Sequence, residues 1–277
     1  MADRPNFLIV MTDHQRGDST APGSATLTPN IDRVAAQGVN LTRTFCPAPH
    51  CCPARATFHS GLYPPQHGVW NNINNGQRLS DGIRPDVRPW ASDLKDAGYD
   101  LAFTGKWHVD TKTNPADHGW RDLDQRPARH GKADLSEQHG RSWDQWKVMA
   151  EAGQLTRDPD EPRPDGVIDR PGYGPFRLYF EHGPGNTHDT SSTERAVEEL
   201  PRLAAADDPW AMFVGYTGPH DPYFVPQKFL DMYPLDSIEL PPSFADDLSD
   251  KPRIYQRLRQ QIWGQLKGAW VISVPSI

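Results

Sequence analysis

One short continuous apolar run, residues 7–11, and two further strand-like, mostly apolar segments, 99–104 and 210–216, each give way to polar or glycine-bearing residues. Such runs predict strands covered on both faces, and helical patterns lie between them, so the chain reads as α/β. In an open α/β sheet, ligands gather beyond the carboxyl ends of the strands. Asp13 follows the first run, Lys106 and His108 follow the second, and His220 follows the third. A carboxylate at Asp13 suits a hard cation, and equally suits capping the turn after it. Lys106 and His108, taken alone, read as readily as surface residues.

Composition removes several classes of function. With 277 residues the chain can bury a substantial core, as one large domain or two small ones. The net charge is -7 and no stripe of Lys or Arg exists, which excludes a non-specific nucleic-acid binder. Nine tryptophans argue for a packed chain although only 36% of residues are hydrophobic, and 28 prolines predict irregular surface loops. Three cysteines do not make a disulfide framework. No basic leader with an apolar run opens the sequence and no apolar stretch has membrane length, so the expectation is a cytoplasmic chain without a membrane partner.

Between the strands, Thr28-Pro29 predicts the start of a helix ending at Gly38, with Ile31, Val34 and Ala35 on one face. Residues 39–45 alternate enough for a strand, and 62–75 form a turn-rich connector. A helix over 90–97 closes at Gly98. From 110 to 185 the pattern weakens into an excursion, with an amphipathic helix within 136–153 bearing Trp143, Trp146 and Met149, and a Pro/Asp/Gly-rich loop over 157–175. Residues 189–205 predict a helix burying Ala196, Val197 and Leu200, and 251–266 predict another.

The stretch from Cys51 to Gly61 concentrates chemistry in one turn and the helix after it. Pro53 fits a first helical turn because its missing N–H is one of the unpaired donors there. Cys51 then lies at the helix start, where the dipole favours negative charge. Arg55, one turn on, adds a planar cationic fork suited to a tetrahedral oxyanion. The residues alone describe a nucleophile beside an anion receptor. A zinc site drawn from Cys46, Cys51, Cys52, His50, His59 and His67 fits less well, because adjacent Cys51 and Cys52 lack the usual paired spacing. Cys46 and Cys52 read as small buried thiols.

These motifs resemble the type I sulfatases of the alkaline phosphatase superfamily. Cys51, Pro53, Arg55 and Gly61 match the first family signature, with Ser60 where Thr or Gly is usual. Gly98-Tyr99 and Gly105-Lys106-Trp107-His108 match the second, with Leu101 where Thr is common. Weaker segments follow in order: residues 6–13, 28–32, 119–122 and 219–222. The resemblance covers residues 6–233 and implies a three-layer sandwich with a mostly parallel mixed central sheet, alkaline-phosphatase-like.

The resemblance further implies that Cys51, not Cys52, is converted by a maturation enzyme to formylglycine. Its hydrated aldehyde would attack the sulfur of a sulfate ester, carried on a small molecule or a carbohydrate, and then eject sulfate. A divalent metal, Ca2+ ahead of Mg2+, would sit on Asp13 and residue 51. Arg55 and Lys106 would polarise the nucleophile and stabilise oxyanion charge, His108 would accept the diol proton, and His220 would bind sulfate or protonate the leaving alcohol.

The chain departs from the pattern in three places. His14 stands where many relatives carry a second Asp. The later Asp-Asn or Asp-His metal pair, and the family's C-terminal subdomain, have no counterpart, and residues 268–277 match no family element. The expectation is one catalytic domain over 1–277, incomplete, of weak or no turnover. The alternatives are a phosphonate monoester or phosphodiester hydrolase of the same superfamily, and a non-catalytic anion-binding fragment.

Overall fold

In the computed structural model of the chain, residues 4–73, 78–126, 168–169, 177–178, 187–220, 227–234, 237–239 and 242–258 are described. The strands in chain order are β1 (Phe7–Met11), β2 (Asp100–Gly105), β3 (Arg121–Asp122), β4 (Ile168–Asp169), β5 (Arg177–Leu178) and β6 (Trp210–Gly215). The helices are α1 (Pro29–Gln37), α2 (Cys51–Ser60), α3 (Pro64–His67), α4 (Trp90–Asp96), α5 (Thr187–Ala204), α6 (Gln227–Leu230) and α7 (Arg253–Leu258). The chain divides into two compact units. One is Met1–His139 with Asn186–His220, and the other is Gly140–Gly185 with Asp221–Ile277.

The first unit holds a four-stranded sheet in the order β1-β6-β2-β3, parallel at every pairing. Its register brings Met11, Gly215 and Gly105 into one line, because Met11 pairs with Gly215 and Gly215 with Gly105. All three strands therefore deliver their following loops to the same edge.

Alternation along the strands makes two cores. Leu101, Phe103, Ala211 and Phe213 point to one face, where they meet Cys52 and Ala56 of α2, Ala91 of α4, and Trp107 and Trp120. Phe103 and Phe213 stack with centroids 4.9 Å apart, tying β2 to β6. Ala102, Met212 and Val214 point the other way, onto Ala196 and Leu203 of α5. The result is α/β/α layering. His59 of α2 is fully buried in the first core among Trp90, Trp107, Phe103 and Phe213.

Among the described residues β1 lies at one edge of the sheet. Leu8 and Val10 pair with Met212 and Val214, so they share the α5 face, yet they are 51% and 55% exposed. Cover on both faces is the expectation for this strand, and the side chains of Leu8 and Val10 do not have it among the described residues. Helix α1 begins at Pro29 and is capped by Gly38, as the sequence predicts, but none of its residues is buried, and Ile31 and Val34 face outward.

Three local expectations are corrected. Residues 39–45 form no strand; their apolar residues Val39, Leu41 and Phe45 are exposed, since periodicity without a pairing partner does not make a ladder. Val197 points to solvent, and α5 buries Ala196 and Leu203 instead. Cys46, expected as a buried thiol, is exposed. The expected helix within 136–153 and the tail 268–277 lie outside the described residues, as does the 157–175 loop apart from β4.

The second unit contains the antiparallel pair β4–β5, with α6 and α7. Helix α7 covers the first part of the expected 251–266 helix, and the rest lies outside the described residues. Among the described residues no helix is long and apolar enough to cross a membrane.

Candidate active site at the carboxyl edge of the sheet

Asp13 lies two residues past the end of β1 and is only 5% exposed. Its backbone N–H donates to the carbonyl of Gly218, in the loop after β6, at 3.0 Å. The two oxygens of its carboxylate have different company. Oδ2 accepts from Arg55 Nη2 at 3.1 Å and faces Lys106 Nζ at 2.6 Å. Oδ1 accepts from Cys51 Sγ at 3.3 Å. Burial alone raises the Asp13 pKa, but the hydrogen bond and charge of Lys106, then the charge of Arg55, outweigh it and hold the carboxyl below its ordinary value.

Helix α2 supplies Cys51 and Arg55. His50 is extended and Cys51 takes the first helical position, with Pro53 in the first turn and Gly61 closing the helix in the left-handed region. The spacing of four puts Cys51 and Arg55 on one helical face. Arg55 is 2% exposed, and its guanidinium reaches three strand ends at once. It donates to Asp13 after β1, to the Lys106 carbonyl after β2 at 2.7 Å, and to the Tyr216 carbonyl after β6 at 3.3 Å.

Cys51 and Cys52 are separated physically. Cys51 is half-buried and turned to Asp13. Cys52 is fully buried; its N–H donates to Asn72 and its sulfur accepts from the Ile73 N–H. Burial pushes the Cys52 thiol up to about 12. A thiol so placed is inert.

Lys106 arrives at the site because β2 and β6 end in facing glycines. The Lys106 N–H donates to the Gly215 carbonyl at 2.7 Å, and a Cβ on Gly105 would lie 2.0 Å from that same oxygen. Gly105 also holds a φ of 90°, in the left-handed region. His220 sits in the loop after β6, and its ring is 5.6 Å from that of His14. Asp13, Cys51 and His220 together offer an oxygen, a sulfur and a nitrogen, all within 4.8 Å of one another. His108 follows Lys106 with a φ of 54° and is not a member of that group.

Two supporting residues escaped the sequence reading. Asp189, in the first turn of α5, accepts the N–H groups of Thr217 at 2.6 Å and Gly218 at 2.8 Å, fixing the loop that carries His220. Asp124 accepts from the Gly105 N–H and from Thr104 Oγ1, fixing the end of β2. Asp189 looks like a helix-start residue in sequence, and only the fold shows which backbone it serves.

The site thus joins one buried carboxylate, a buried guanidinium, an ammonium and the start of α2 around the Cys51 side chain. Its balance of fixed charge is positive, which suits an anion. Among the described residues Asp13 keeps one carboxylate oxygen outside its contacts with Arg55 and Lys106, short of the six to eight oxygens that Ca2+ takes.

Comparison with known proteins agrees with this geometry. Residues 5–243 match the family model described as Sulfatase. An uncharacterised sulfatase of Escherichia coli K12, YidJ, is 30% identical over 269 residues, 95% of this chain and 47% of that protein. Human steryl-sulfatase is 42% identical over 114 residues, 39% of this chain and 20% of that protein. The structure of a 2-O GAG sulfatase superposes with a TM-score of 0.55 at 20% identity, covering 93% of this chain and 45% of that one, a likeness of fold. The chain spans under half the length of YidJ. The described sheet and its helices are accordingly those of an alkaline-phosphatase-like α/β fold, and the chain belongs to the sulfatase family.

Proposed function

We propose that the chain carries the nucleophile-bearing part of a sulfuric ester hydrolase, with Cys51 as the precursor of the nucleophile. The observation that carries this is the convergence of Arg55 and Lys106 on the carboxylate that also receives Cys51 Sγ. The family implies formylglycine and a divalent metal. Formylglycine at position 51 supplies an oxygen nucleophile in place of sulfur, and the half-buried Cys51 at the start of α2 is open to such a conversion while Cys52 is not.

The remaining roles belong to residues already placed. Arg55 and Lys106 hold the oxygens of the ester anion, and their charge offsets what develops as the bond to the leaving oxygen breaks. His220, on the loop held by Asp189, delivers a proton to that oxygen. His108 is the proton acceptor proposed for nucleophile regeneration. The substrate class is a small-molecule or carbohydrate sulfate ester, and the partner is a formylglycine-generating enzyme of the cytoplasm. Ca2+ is the metal proposed for the family chemistry. The described residues leave it short of ligands, so the 277-residue chain alone turns over slowly or not at all.

Mass spectrometry of the Cys51 peptide after co-expression with a maturation enzyme tests the reading. Conversion confined to Cys51 supports it, and an unmodified Cys51 overturns it. Parallel assays with aryl sulfate and aryl phosphonate esters then separate a sulfatase from a phosphonate hydrolase.

A further inference from the structure

Where β2 hands the chain to Lys106, each backbone polar group of Gly105 and Lys106 has a fixed partner. The Gly105 N–H donates to Asp124 Oδ2 at 2.8 Å, and the Gly105 carbonyl accepts from Arg126 Nη2. The Lys106 N–H donates to the Gly215 carbonyl at 2.7 Å, and the Lys106 carbonyl accepts from Arg55 Nη1 at 2.7 Å. Gly215 and Arg55 belong to the sheet and the site already described. Asp124 and Arg126 come from one short segment that the proposed chemistry does not use, and they are ion-paired to each other.

That segment is held in an unusual shape. Gln125, between the two, has a φ of 52°, in the left-handed region that side chains avoid. Such a backbone persists where its surroundings over-determine it. Here Asp124 Oδ1 accepts from Thr104 Oγ1 at 2.9 Å and pairs with Arg195 at 3.0 Å. Arg126 Nη1 donates to Asp122 Oδ1 at 2.9 Å, and its guanidinium lies 5.6 Å from the centroid of the Phe103 ring. Carboxylate and guanidinium thus grip the two polar groups of one glycine.

We propose that Asp124 and Arg126 are positioning residues for the anion-holding role of Lys106. They act through the peptide between Gly105 and Lys106. Fixing its plane fixes the direction in which the Lys106 side chain leaves the strand, and Nζ then lies 2.6 Å from Asp13 Oδ2. A flexible four-carbon stem on a loose base would spread its charge over many places. Misplacing a charge by about 1 Å can cost on the order of a hundredfold in rate. The inference rests on the reading that Lys106 holds the ester anion.

Competitive acetylation of the full 277-residue chain with acetic anhydride, read by peptide mass spectrometry, tests it. Inorganic sulfate is the probe, and chloride at equal ionic strength is the control. Exposed Lys112 serves as the reference amine, and iodoacetamide alkylation of the fully buried Cys52 reports loosening of the core. Sulfate is expected to slow Lys106 acetylation roughly fivefold or more in the wild-type chain, and less than about twofold in Asp124→Ala. Asp124→Asn keeps an oxygen for the Gly105 N–H and is expected to fall between them. Should Asp124→Ala expose Cys52, Arg126→Gln carries the same expectation from the other arm. Wild-type protection in a variant whose Cys52 stays buried overturns the positioning role and leaves the reading of Lys106 standing. Exposure of Cys52 in both variants also overturns it, since the pair then only holds the core together. Absence of protection in the wild-type chain overturns the reading of Lys106 and the inference with it.

Discussion

The Arg55 guanidinium donates to a carboxylate and to carbonyls from two further strand ends, a span its planar fork allows and an ammonium does not. Arg55→Lys keeps the charge and loses the bracing. The expected result is a loss of about 2–4 kcal/mol in urea unfolding, since a buried hydrogen-bonded charge network is broken. His59 is the opposite case, a buried group with no use for its polarity. Burial, then the charge of Arg55, pushes its pKa down to about 3, and neither ring nitrogen has a partner among the described residues. The unfolded chain binds this proton near pH 6.5 and the folded chain does not. Stability is therefore full above pH 6.5 and is lost as pH falls from there toward 3, by roughly 1.4 kcal/mol per unit for one group. Burial also depresses His67 and His118, so His59→Phe is expected to reduce the slope rather than abolish it. At pH 7 that variant should gain about 1–2 kcal/mol by removing two unsatisfied nitrogens. Urea titrations at several pH values measure both effects.

Among the elements, the loops matter through their anchors. Asp189→Ala frees two N–H groups of the His220 loop and is expected to cost about 1–3 kcal/mol in urea unfolding. It should also broaden the amide resonances of Thr217, Gly218 and His220 in NMR spectra, a change that a merely local loss in α5 would not produce. Gly105→Ala puts a methyl group against the Gly215 carbonyl at a φ that side chains avoid, and a fall in Tm with a cost of about 2–4 kcal/mol is expected. These anchors also mark where sequence reading ends. The strands after which the chemistry lies were legible as apolar runs, and Cys51 and Arg55 as neighbours on a helix. Their reason was local: burial on both faces and helical spacing leave a pattern in consecutive residues. That Arg55 braces three strand ends was not legible, because its two carbonyl partners are backbone groups 51 and 161 residues away and carry no side-chain signature. Residues 39–45 failed for the converse reason, having strand-like residues and no neighbouring strand.

At the scale of the molecule, exposed apolar side chains set behaviour in solution. Leu8 and Val10, exposed on an edge strand, and the outward Ile31 and Val34 of α1 present apolar surface of the kind that associates. The expected outcome is concentration-dependent scattering, suppressed in a Leu8→Lys/Val10→Lys double variant whose Tm changes by less than in Phe213→Ala. The latter removes a fully buried ring from the stacked pair and is expected to cost about 3–5 kcal/mol. Dynamic light scattering and thermal unfolding distinguish the two kinds of apolar residue.

The alignment of Met11, Gly215 and Gly105 works as a ruler for the site. One residue added or removed inside β1, β2 or β6 displaces the group beyond it by about 3.3 Å and turns the strand's side chains to the opposite layer. The same change among the exposed residues 39–45, which pair with no strand described here, leaves that register as it is. Descendants of this sequence can therefore lengthen in exposed turns of that kind, yet the strands that aim Asp13, Lys106 and His220 can vary in composition but not in count.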